Sequence, residues 1–191
     1  MKKIVAVSHI TFDGVMSGPA GDEDNMISWG MSGVVDSTPD FQNSFQEFDT
    51  ILLGRITYEG LSQFWPTQSG DFADLMNHTS KIVFSKTLSK AGWGVFENIS
   101  LINKNVEEEV KKIKGQTGKD MIIFASSKLV QSFTNAGLID EYRIVVHPVL
   151  LGSGKRLFDG ITARKDLKLE STKTYSNGAV LLRYVTYQKE N

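Results

Sequence analysis

Small, hydroxyl-bearing and cationic residues directly follow three apolar runs of this sequence. The run Thr50–Leu53 is followed by Gly54, Arg55 and Thr57. Where a strand leads into a helix, such a glycine lets a ligand approach the backbone, and the free N–H groups of the helix N-terminus attract negative charge. The segment predicts an anion site suited to a phosphate or pyrophosphate. The alternative is a capped helix whose arginine points to solvent.

The two other segments have the same character. Ser85–Thr87 follows the run Lys81–Phe84, and Ala125–Ser127 follows Met121–Phe124. Taken alone, the first is typical of a surface turn and the second of a helix capped by serine. Ligands of open α/β sheets bind outside the carboxyl ends of the strands. Three such ends favour a single groove, because an extended dinucleotide needs several anion contacts along one sheet edge.

Alternating strand and helix patterns, followed by strands alone, surround these segments. Residues 37–40 predict a helix start with Pro39 in the first turn, and Ile139–Pro148 predicts a long strand. Residues 167–172 and 180–187 predict two closing antiparallel strands. The pattern predicts an α/β sandwich with a largely parallel sheet and an antiparallel edge. No linker or repeat interrupts it, so we expect a single domain over residues 1–191.

The composition excludes several classes of protein. The chain has 191 residues, no cysteine, and 21 Lys and Arg against 22 Asp and Glu. It therefore has no thiolate zinc site, iron–sulfur cluster or cysteine nucleophile, and it lacks the basic excess of a nucleic-acid-binding protein. No run approaches the roughly 18 apolar residues of a membrane helix. We expect a cytoplasmic protein that binds neither nucleic acid nor membrane.

Familiar catalytic motifs are missing from the chain. His9, His78 and His147 have no metal-ligand spacing, so we expect no bound metal. A G-x-G-x-x-G turn, a P-loop and a G-x-S-x-G nucleophile elbow do not occur. His9 ends the first strand, where it either faces a pocket or is a satisfied structural histidine.

Three further residues have two interpretations each. Asp13 lies in the loop after the first strand and either supplies a carboxylate to the pocket or turns the chain. Trp29 and Trp65 either line a planar ligand or belong to the core. The residue types alone do not decide between the two interpretations of each residue.

Five blocks of the sequence, taken in order, resemble the dihydrofolate-reductase superfold, and more closely the bacterial proteins like the C-terminal reductase domain of the riboflavin-pathway protein RibD. The blocks are Phe12–Gly14, Leu53–Glu59, Val83–Leu88, Ser127–Arg143 and Pro148–Phe158. The resemblance covers essentially the whole chain. It implies a three-layer α/β/α sandwich of the dihydrofolate reductase type, with a mixed, mostly parallel sheet and an antiparallel C-terminal edge.

The resemblance also implies a reductase that uses NADPH. The first polar segment would contact the cofactor's phosphates, the second the adenosine side with its 2′-phosphate, and the third the pyrophosphate and ribose. The first strand and the loop after it would flank the nicotinamide. The residues carried over to the cofactor in this way are Val7, Ser8, Gly14, Gly54, Arg55, Thr57, Ser85, Lys86, Thr87, Ala125, Ser126, Ser127, Lys128 and Leu129.

For the substrate, the resemblance implies a pocket beside the nicotinamide. The residues carried over to it are Trp29, Tyr58, Trp65, Phe124, Pro148 and Gly152. Phe124 stands where the riboflavin-pathway reductase has the glutamate that meets its ribosylaminouracil substrate. Ala125 stands where the family has its first glycine. These departures bear on the substrate more than on the cofactor.

Three functions follow as hypotheses. The first is an NADPH-dependent reductase that passes hydride to an imine or carbonyl carbon of a small planar heterocyclic or ribosylamino-pyrimidine-like substrate, with Asp13 or water as the general acid. The second is a non-catalytic nucleotide- or pterin-binding protein of the same fold. The third is a structural dimer with an empty cleft. Many relatives are homodimers, and the strand Ile139–Pro148 is the predicted partner edge.

Overall fold

The computed structural model describes residues 1–18 and 26–187. Its strands are β1 (Ile4–Thr11), β2 (Val15–Ser17), β3 (Phe48–Gly54), β4 (Ser80–Phe84), β5 (Ile99–Ile102), β6 (Asp120–Phe124), β7 (Glu141–His147), β8 (Lys155–Arg156), β9 (Leu167–Thr174) and β10 (Val180–Thr186). Its helices are α1 (Met26–Phe45), α2 (Arg55–Phe64), α3 (Asp71–His78), α4 (Val106–Lys114) and α5 (Ser127–Asn135), with a short 3₁₀ turn at Trp65–Thr67.

Eight of the strands form one mixed sheet in the order β5-β4-β3-β6-β1-β7-β10-β9, and β2 pairs with β8 in a small second sheet. The neighbours from β5 to β7 all pair in parallel. Beyond β7, β10 and β9 pair antiparallel. The predicted α/β class, with its mostly parallel sheet and antiparallel C-terminal edge, is confirmed.

Side chains of β1 alternate between two cores on opposite faces of the sheet. Ile4 and Ala6 pack in a cluster that includes residues of α4 and α5. Val5 and Val7 pack in a second cluster that includes residues of α1, α2 and α3. Because a strand buried on both faces must be apolar on both, the first half of β1, residues 4–7, is a continuous apolar run. Helices therefore cover both faces, which makes the three layers.

The predicted helix start at residues 37–40 is wrong. Helix α1 begins at Met26 and carries Pro39 inside it. A proline inside a helix removes one N–H donor and leaves a carbonyl of the preceding turn without its partner. The hydroxyls of Ser37 and Thr38 both donate to the carbonyl of Val34, at 3.2 and 2.7 Å. Two side-chain bonds thus support the backbone at the turn that precedes the proline.

The strand Ile139–Pro148 does not offer an edge to a partner chain, so that prediction is also wrong. Strand β7 lies inside the sheet, with β1 on one side and β10 on the other. Its backbone groups are already paired along both sides. The edge strand at this end of the sheet is β9, and β9 is largely exposed.

A charged network fixes the start of β7 to its neighbours. The carboxylate of Glu141 accepts bonds from Arg143 at 2.6 Å and from Arg183 at 2.8 Å, and Arg143 also pairs with Glu47 at 2.7 Å. Glu141 and Arg143 are buried, with side chains 7% and 8% exposed. Burial raises the pKa of Glu141, but the two guanidinium groups outweigh it and hold that pKa below its ordinary value. Glu141 is therefore ionised in the folded protein.

Replacing this carboxylate should be costly. Glu141→Gln should lower the free energy of unfolding at neutral pH by about 3 kcal/mol, because it leaves Arg143 buried with Glu47 alone. Since the folded-state pKa is lowered, the stabilisation is present above the ordinary carboxyl pKa and is lost as the pH falls through the folded-state value. The difference between variant and wild type should therefore shrink in acid. Urea unfolding at neutral and acidic pH measures both effects.

The control is an exposed pair. Glu108 and Lys112 lie 3.8 Å apart with side chains 65% and 59% exposed. Glu108→Gln should therefore change the free energy of unfolding by less than about 1 kcal/mol. Equal losses of unfolding free energy in the two variants would show that burial of the Glu141 network adds nothing to stability.

Candidate functional site

The carboxyl ends of β3, β4 and β6 open into one cavity of about 780 Å³. That volume lies within the range of about 300–1,000 Å³ that is usual for small-molecule sites. All three polar segments singled out in the sequence contribute to its wall. The predicted cofactor residues that line it are Gly54, Arg55, Thr57, Ser85, Lys86, Thr87, Ser126, Ser127, Lys128 and Leu129.

The first segment joins β3 to the N-terminus of α2. Gly54 precedes α2 in extended conformation, and no side chain caps the helix. Its own N–H donates to Ser126 Oγ at 3.0 Å, which fixes this turn to the start of α5. Thr57 Oγ1 donates to the carbonyl of Ala125 at 3.2 Å. The hydroxyl of Thr57 therefore holds the two turns together.

Arg55 is the cation of this segment. It lines the cavity and is also paired with Glu59, one helical turn on, at 3.0 Å. The side chains of both residues are more than two-fifths exposed. An exposed pair of this kind contributes little to stability. Arg55 can therefore leave Glu59 and pair with an anion in the cavity with little loss of free energy.

The second segment forms a tight turn after β4. Ser85 Oγ accepts the N–H groups of Thr87 and Leu88, both at 3.2 Å. The hydroxyl of Ser85 thus shapes the turn, while Lys86 is exposed at the cavity wall. The five cations that line the cavity outnumber its two carboxylates, Glu107 and Glu108; the cations are Arg55, Lys86, Lys104, Lys128 and Lys155. The wall carries a positive excess that favours an anionic ligand.

The third segment starts α5, and it holds a polar atom without a partner. Ser127 is 1% exposed, and its Oγ makes no hydrogen bond within residues 1–18 and 26–187. No side-chain bond caps the first turn of α5. An unpaired buried hydroxyl costs free energy unless a ligand supplies its partner. The donors at the start of α5 fit a phosphate or pyrophosphate group.

Ala125, between β6 and α5, has a backbone conformation that favours glycine. Its φ angle is +51°, in the left-handed region. Its N–H donates to the carbonyl of Val7 at 3.3 Å, and its carbonyl accepts from Thr57. These two bonds keep the strained residue in place, where β1, β6 and α2 meet.

The nicotinamide-side predictions lie outside the cavity. Val7 and Ser8 are buried in β1, and the hydroxyl of Ser8 has no hydrogen-bond partner among the described residues. Gly14 follows β1 with φ +84°, a conformation that a side chain would strain. Val7 and Ser8 are on the strand next to β6, where the carbonyl of Val7 accepts the N–H of Ala125, the first residue of the third segment.

None of the six predicted substrate residues lines the cavity either. Phe124 stacks on Phe41 of α1, with ring centroids 5.4 Å apart. Tyr58 exchanges two hydrogen bonds with the backbone of Gly92, and the ring of Trp65 packs edge-on against Phe72. Trp29, Pro148 and Gly152 lie near the ends of β1 and β7 instead. Tyr58 and Trp65 therefore belong to a different part of the molecule from that group.

Asp13 holds a turn. Its carboxylate accepts bonds from Thr11 Oγ1 at 2.6 Å, Gly152 N at 2.8 Å and Leu151 N at 3.3 Å. The bond from Thr11, with those from the two backbone N–H groups, lowers the pKa of Asp13 to about 2 against an opposing effect of burial. The carboxylate is therefore ionised at neutral pH, with no proton to give. This geometry does not support the general-acid role predicted for Asp13.

Two histidines that the sequence interpretation left without a role lie together at the ends of β1 and β7. His9 Nδ1 and His147 Nε2 are 2.9 Å apart. Trp29 packs edge-on against His147, with ring centroids 5.3 Å apart. Burial, and the neighbouring His147, lower the pKa of His9 to about 4, and burial lowers that of His147. Both rings are neutral at pH 7. Only the parallel pairing of β1 with β7 could have revealed this contact.

Neither a metal site nor a membrane span is found in the part of the chain that the structure describes. No group of three or more His, Asp or Glu side chains there could hold a metal ion. No described helix combines the length and apolar character needed to cross a bilayer.

Comparison with known proteins places the chain among reductase-like folds. A sequence model of the RibD C-terminal domain matches residues 2–181. The chain is 32% identical over 188 residues to the uncharacterized protein YyaP of Bacillus subtilis, covering 96% of this chain and 94% of that protein. A solved protein of Shewanella sp. PV-4, described as a riboflavin biosynthesis protein, has a TM-score of 0.78 at 18% identity over 97% of this chain and 99% of its own. Dihydrofolate reductase of Enterococcus faecalis, solved with NADP(H), has a TM-score of 0.62 at 15% identity over 97% of each chain.

The strain at residue 125 can be measured. Ala125→Gly should raise the free energy of unfolding by about 0.5–1 kcal/mol, because relief of the left-handed conformation exceeds the entropy that glycine adds to the unfolded chain. The same substitution at Ala136, which caps α5 with φ −75°, should lower it by about 0.5–1 kcal/mol. Urea unfolding of both variants gives the comparison. Destabilisation by Ala125→Gly would mean that the methyl group contributes packing that outweighs the strain.

Proposed function

The chain belongs to the RibD C-terminal domain family, and from that premise we propose that it is an NADPH-dependent reductase. Its substrate would be a small planar heterocyclic or ribosylamino-pyrimidine-like molecule. The observation that carries the proposal is the convergence of three strand-end segments, at Gly54, Ser85 and Ser127, on one cation-rich cavity. An extended dinucleotide with several phosphates fits such a wall better than a compact ligand does.

The residues of the cavity fit NADPH in three places. The α2 start with Arg55 would hold one phosphate, and the α5 start with Ser127 would hold the pyrophosphate. Lys86, on the turn after β4, would hold the 2′-phosphate that distinguishes NADPH from NADH. The buried Ser127 hydroxyl has no hydrogen-bond partner among the described residues, and a phosphate oxygen would supply one. NADP(H) in the E. faecalis enzyme of the same fold supports this choice of cofactor.

When bound, the cofactor would supply hydride, and the protein would position the substrate and exclude water. Phe124 stands where the riboflavin-pathway reductase is expected to place a glutamate, and its ring stacks on Phe41. An aromatic pair there favours a flat, less polar substrate face over a charged ribosyl group. Asp13 is ionised and occupied with the turn at residues 151–152, so water or another group supplies the proton.

A second candidate function is a binding protein of the same fold that does not turn over. It is favoured by Ala125, because a methyl group stands where the family has a glycine that lets a pyrophosphate approach the backbone. Both candidates share the cofactor site and differ in whether NADPH is consumed.

Arg55→Ala should weaken NADPH binding by about 1–3 kcal/mol, through loss of a charge-assisted contact to a phosphate. Titration calorimetry with NADPH measures the change. Arg164→Ala is the matched control, because Arg164 is 86% exposed, pairs with Asp166 and lies outside the cavity wall. Unchanged affinity in the Arg55 variant would reject its role as an anion ligand.

Turnover separates the two functions. A reductase should consume NADPH, seen as loss of its absorbance, when dihydrofolate or 5-amino-6-(5-phosphoribosylamino)uracil is added as the acceptor. A binding protein should show a raised melting temperature with NADPH and no consumption with either acceptor. If NADPH neither raises the melting temperature nor is consumed, the cavity is not an NADPH site and both functions proposed for it are wrong.

A further inference from the structure

The contact between His9 and His147 constrains which ring nitrogen of each histidine carries a proton. The two nitrogens, 2.9 Å apart, share one hydrogen bond, so one carries the proton and the other accepts it. A neutral imidazole has one N–H and one bare nitrogen. The direction of this bond therefore decides the state of the outer nitrogen on each ring, which is Nε2 of His9 and Nδ1 of His147.

The surroundings of His147 favour one direction. The residue is fully buried, and its Nδ1 has no hydrogen-bond partner within the described chain. If Nδ1 carried the proton, a buried N–H would be left without an acceptor. Orphaned buried N–H groups are rarer in proteins than under-satisfied acceptors. The proton of His147 therefore belongs on Nε2, from which it is donated to Nδ1 of His9.

That direction leaves the proton of His9 on its own outer nitrogen. With Nδ1 accepting from His147, the neutral ring of His9 must be protonated at Nε2. His9 is partly buried, whereas His147 is fully buried. The pair thus carries its outer neutral N–H donor on the less buried of its two rings.

His9 lies on the part of β1 that extends beyond the end of β6. Strand β6 pairs with β1 only as far as Phe124 opposite Val7, whereas β1 continues to Thr11. Past Val7, the only strand of residues 1–18 and 26–187 that pairs with β1 in the sheet is β7. His9 lies in this stretch, at the same carboxyl edge of the sheet as the cavity. Trp29, packed edge-on against His147, holds the inner ring in place.

We propose that Nε2–H of His9 donates a hydrogen bond to an acceptor atom of the substrate, a carbonyl oxygen or imine nitrogen, and that His147 is the positioning residue that fixes this tautomer. The proposal rests on the proposed reductase function. The His9 N–H would thus make the contact to the substrate that Asp13 cannot make, because the carboxylate of Asp13 is ionised and already bonded to the turn at residues 151–152. Negative charge grows on the acceptor atom when the adjacent carbon takes up hydride, and a preorganised neutral donor stabilises that charge. Water then delivers the proton that completes the reduction.

The first test is independent of turnover. Nitrogen-15 NMR of histidine-labelled protein at neutral pH, without ligand, distinguishes the two tautomers of each ring. We expect the Nε2–H form for both His9 and His147. In His147→Ala, His9 should lose its fixed tautomer, and in His147→Gln, whose amide N–H can donate to Nδ1, it should regain it. A His9 protonated at Nδ1 in the wild type would overturn the proposal.

The second test uses the NADPH oxidation assay with whichever of the two acceptors named above is turned over. His9→Ala should lower kcat by about 10²–10³-fold, the usual effect of removing one such donor, and His9→Gln, which keeps an N–H near the same place, should recover part of the loss. The affinity for NADPH, measured by calorimetry, should be the same in all variants. An unchanged kcat in His9→Ala would overturn the proposal, while the reductase function would stand.

Failure of the reductase function can be distinguished from failure of the role proposed for the histidine pair. If wild-type protein binds no NADPH, the reductase function fails, whatever the tautomer of His9. If it binds and consumes NADPH but His9 is protonated at Nδ1, only the role of the histidine pair fails. Circular dichroism of each variant confirms that a lost rate does not come from a lost fold.

Discussion

The parallel alignment of neighbouring strands is the constraint on which the candidate site depends. Gly54 of β3 pairs with Phe84 of β4, and Val7 of β1 pairs with Phe124 of β6. Because the strands run the same way and end at nearly the same level, the polar residues that follow them meet at one edge. A slip of one residue would move every side chain of a strand to the opposite face. Burial on both faces opposes such a slip.

This explains why the convergence of the three polar segments on one cavity, the proposed cofactor half of the site, could be predicted from the sequence. Each polar segment is local: an apolar run, then a small residue, a hydroxyl or a cation, then a helix. Gly54 and Ser127 are recognisable without knowing what lies beside them. The parallel sheet then brings the polar residues of the three segments together at one edge. The start of α1 could not be found in the same way, because a proline in the middle of a helix mimics the start of one.

The proposed substrate half, at the ends of β1 and β7, could not be predicted from local patterns, since its contacts join residues far apart in the chain. His9 and His147 are separated by 138 positions, and so are Asp13 and Leu151. Nothing in the segment around His147 indicates that β7 lies beside β1. The same pairing also makes β7 an interior strand, whereas the long predicted strand Ile139–Pro148 had been expected to offer an edge to a partner chain.

The two halves also differ in how they bind. The cofactor half relies on backbone N–H groups, helix starts and hydroxyls that tie one turn to the next, as Thr57 does for Ala125. Among these, the contacts made by backbone N–H groups and helix starts tolerate changes of side chain. The substrate half is built from side chains, with Phe124 stacked on Phe41 and Trp29 packed against His147. A single substitution there alters what can be recognised, whereas the sheet edge stays the same. A chain can therefore keep the fold and the anion-binding edge of its family while its substrate changes.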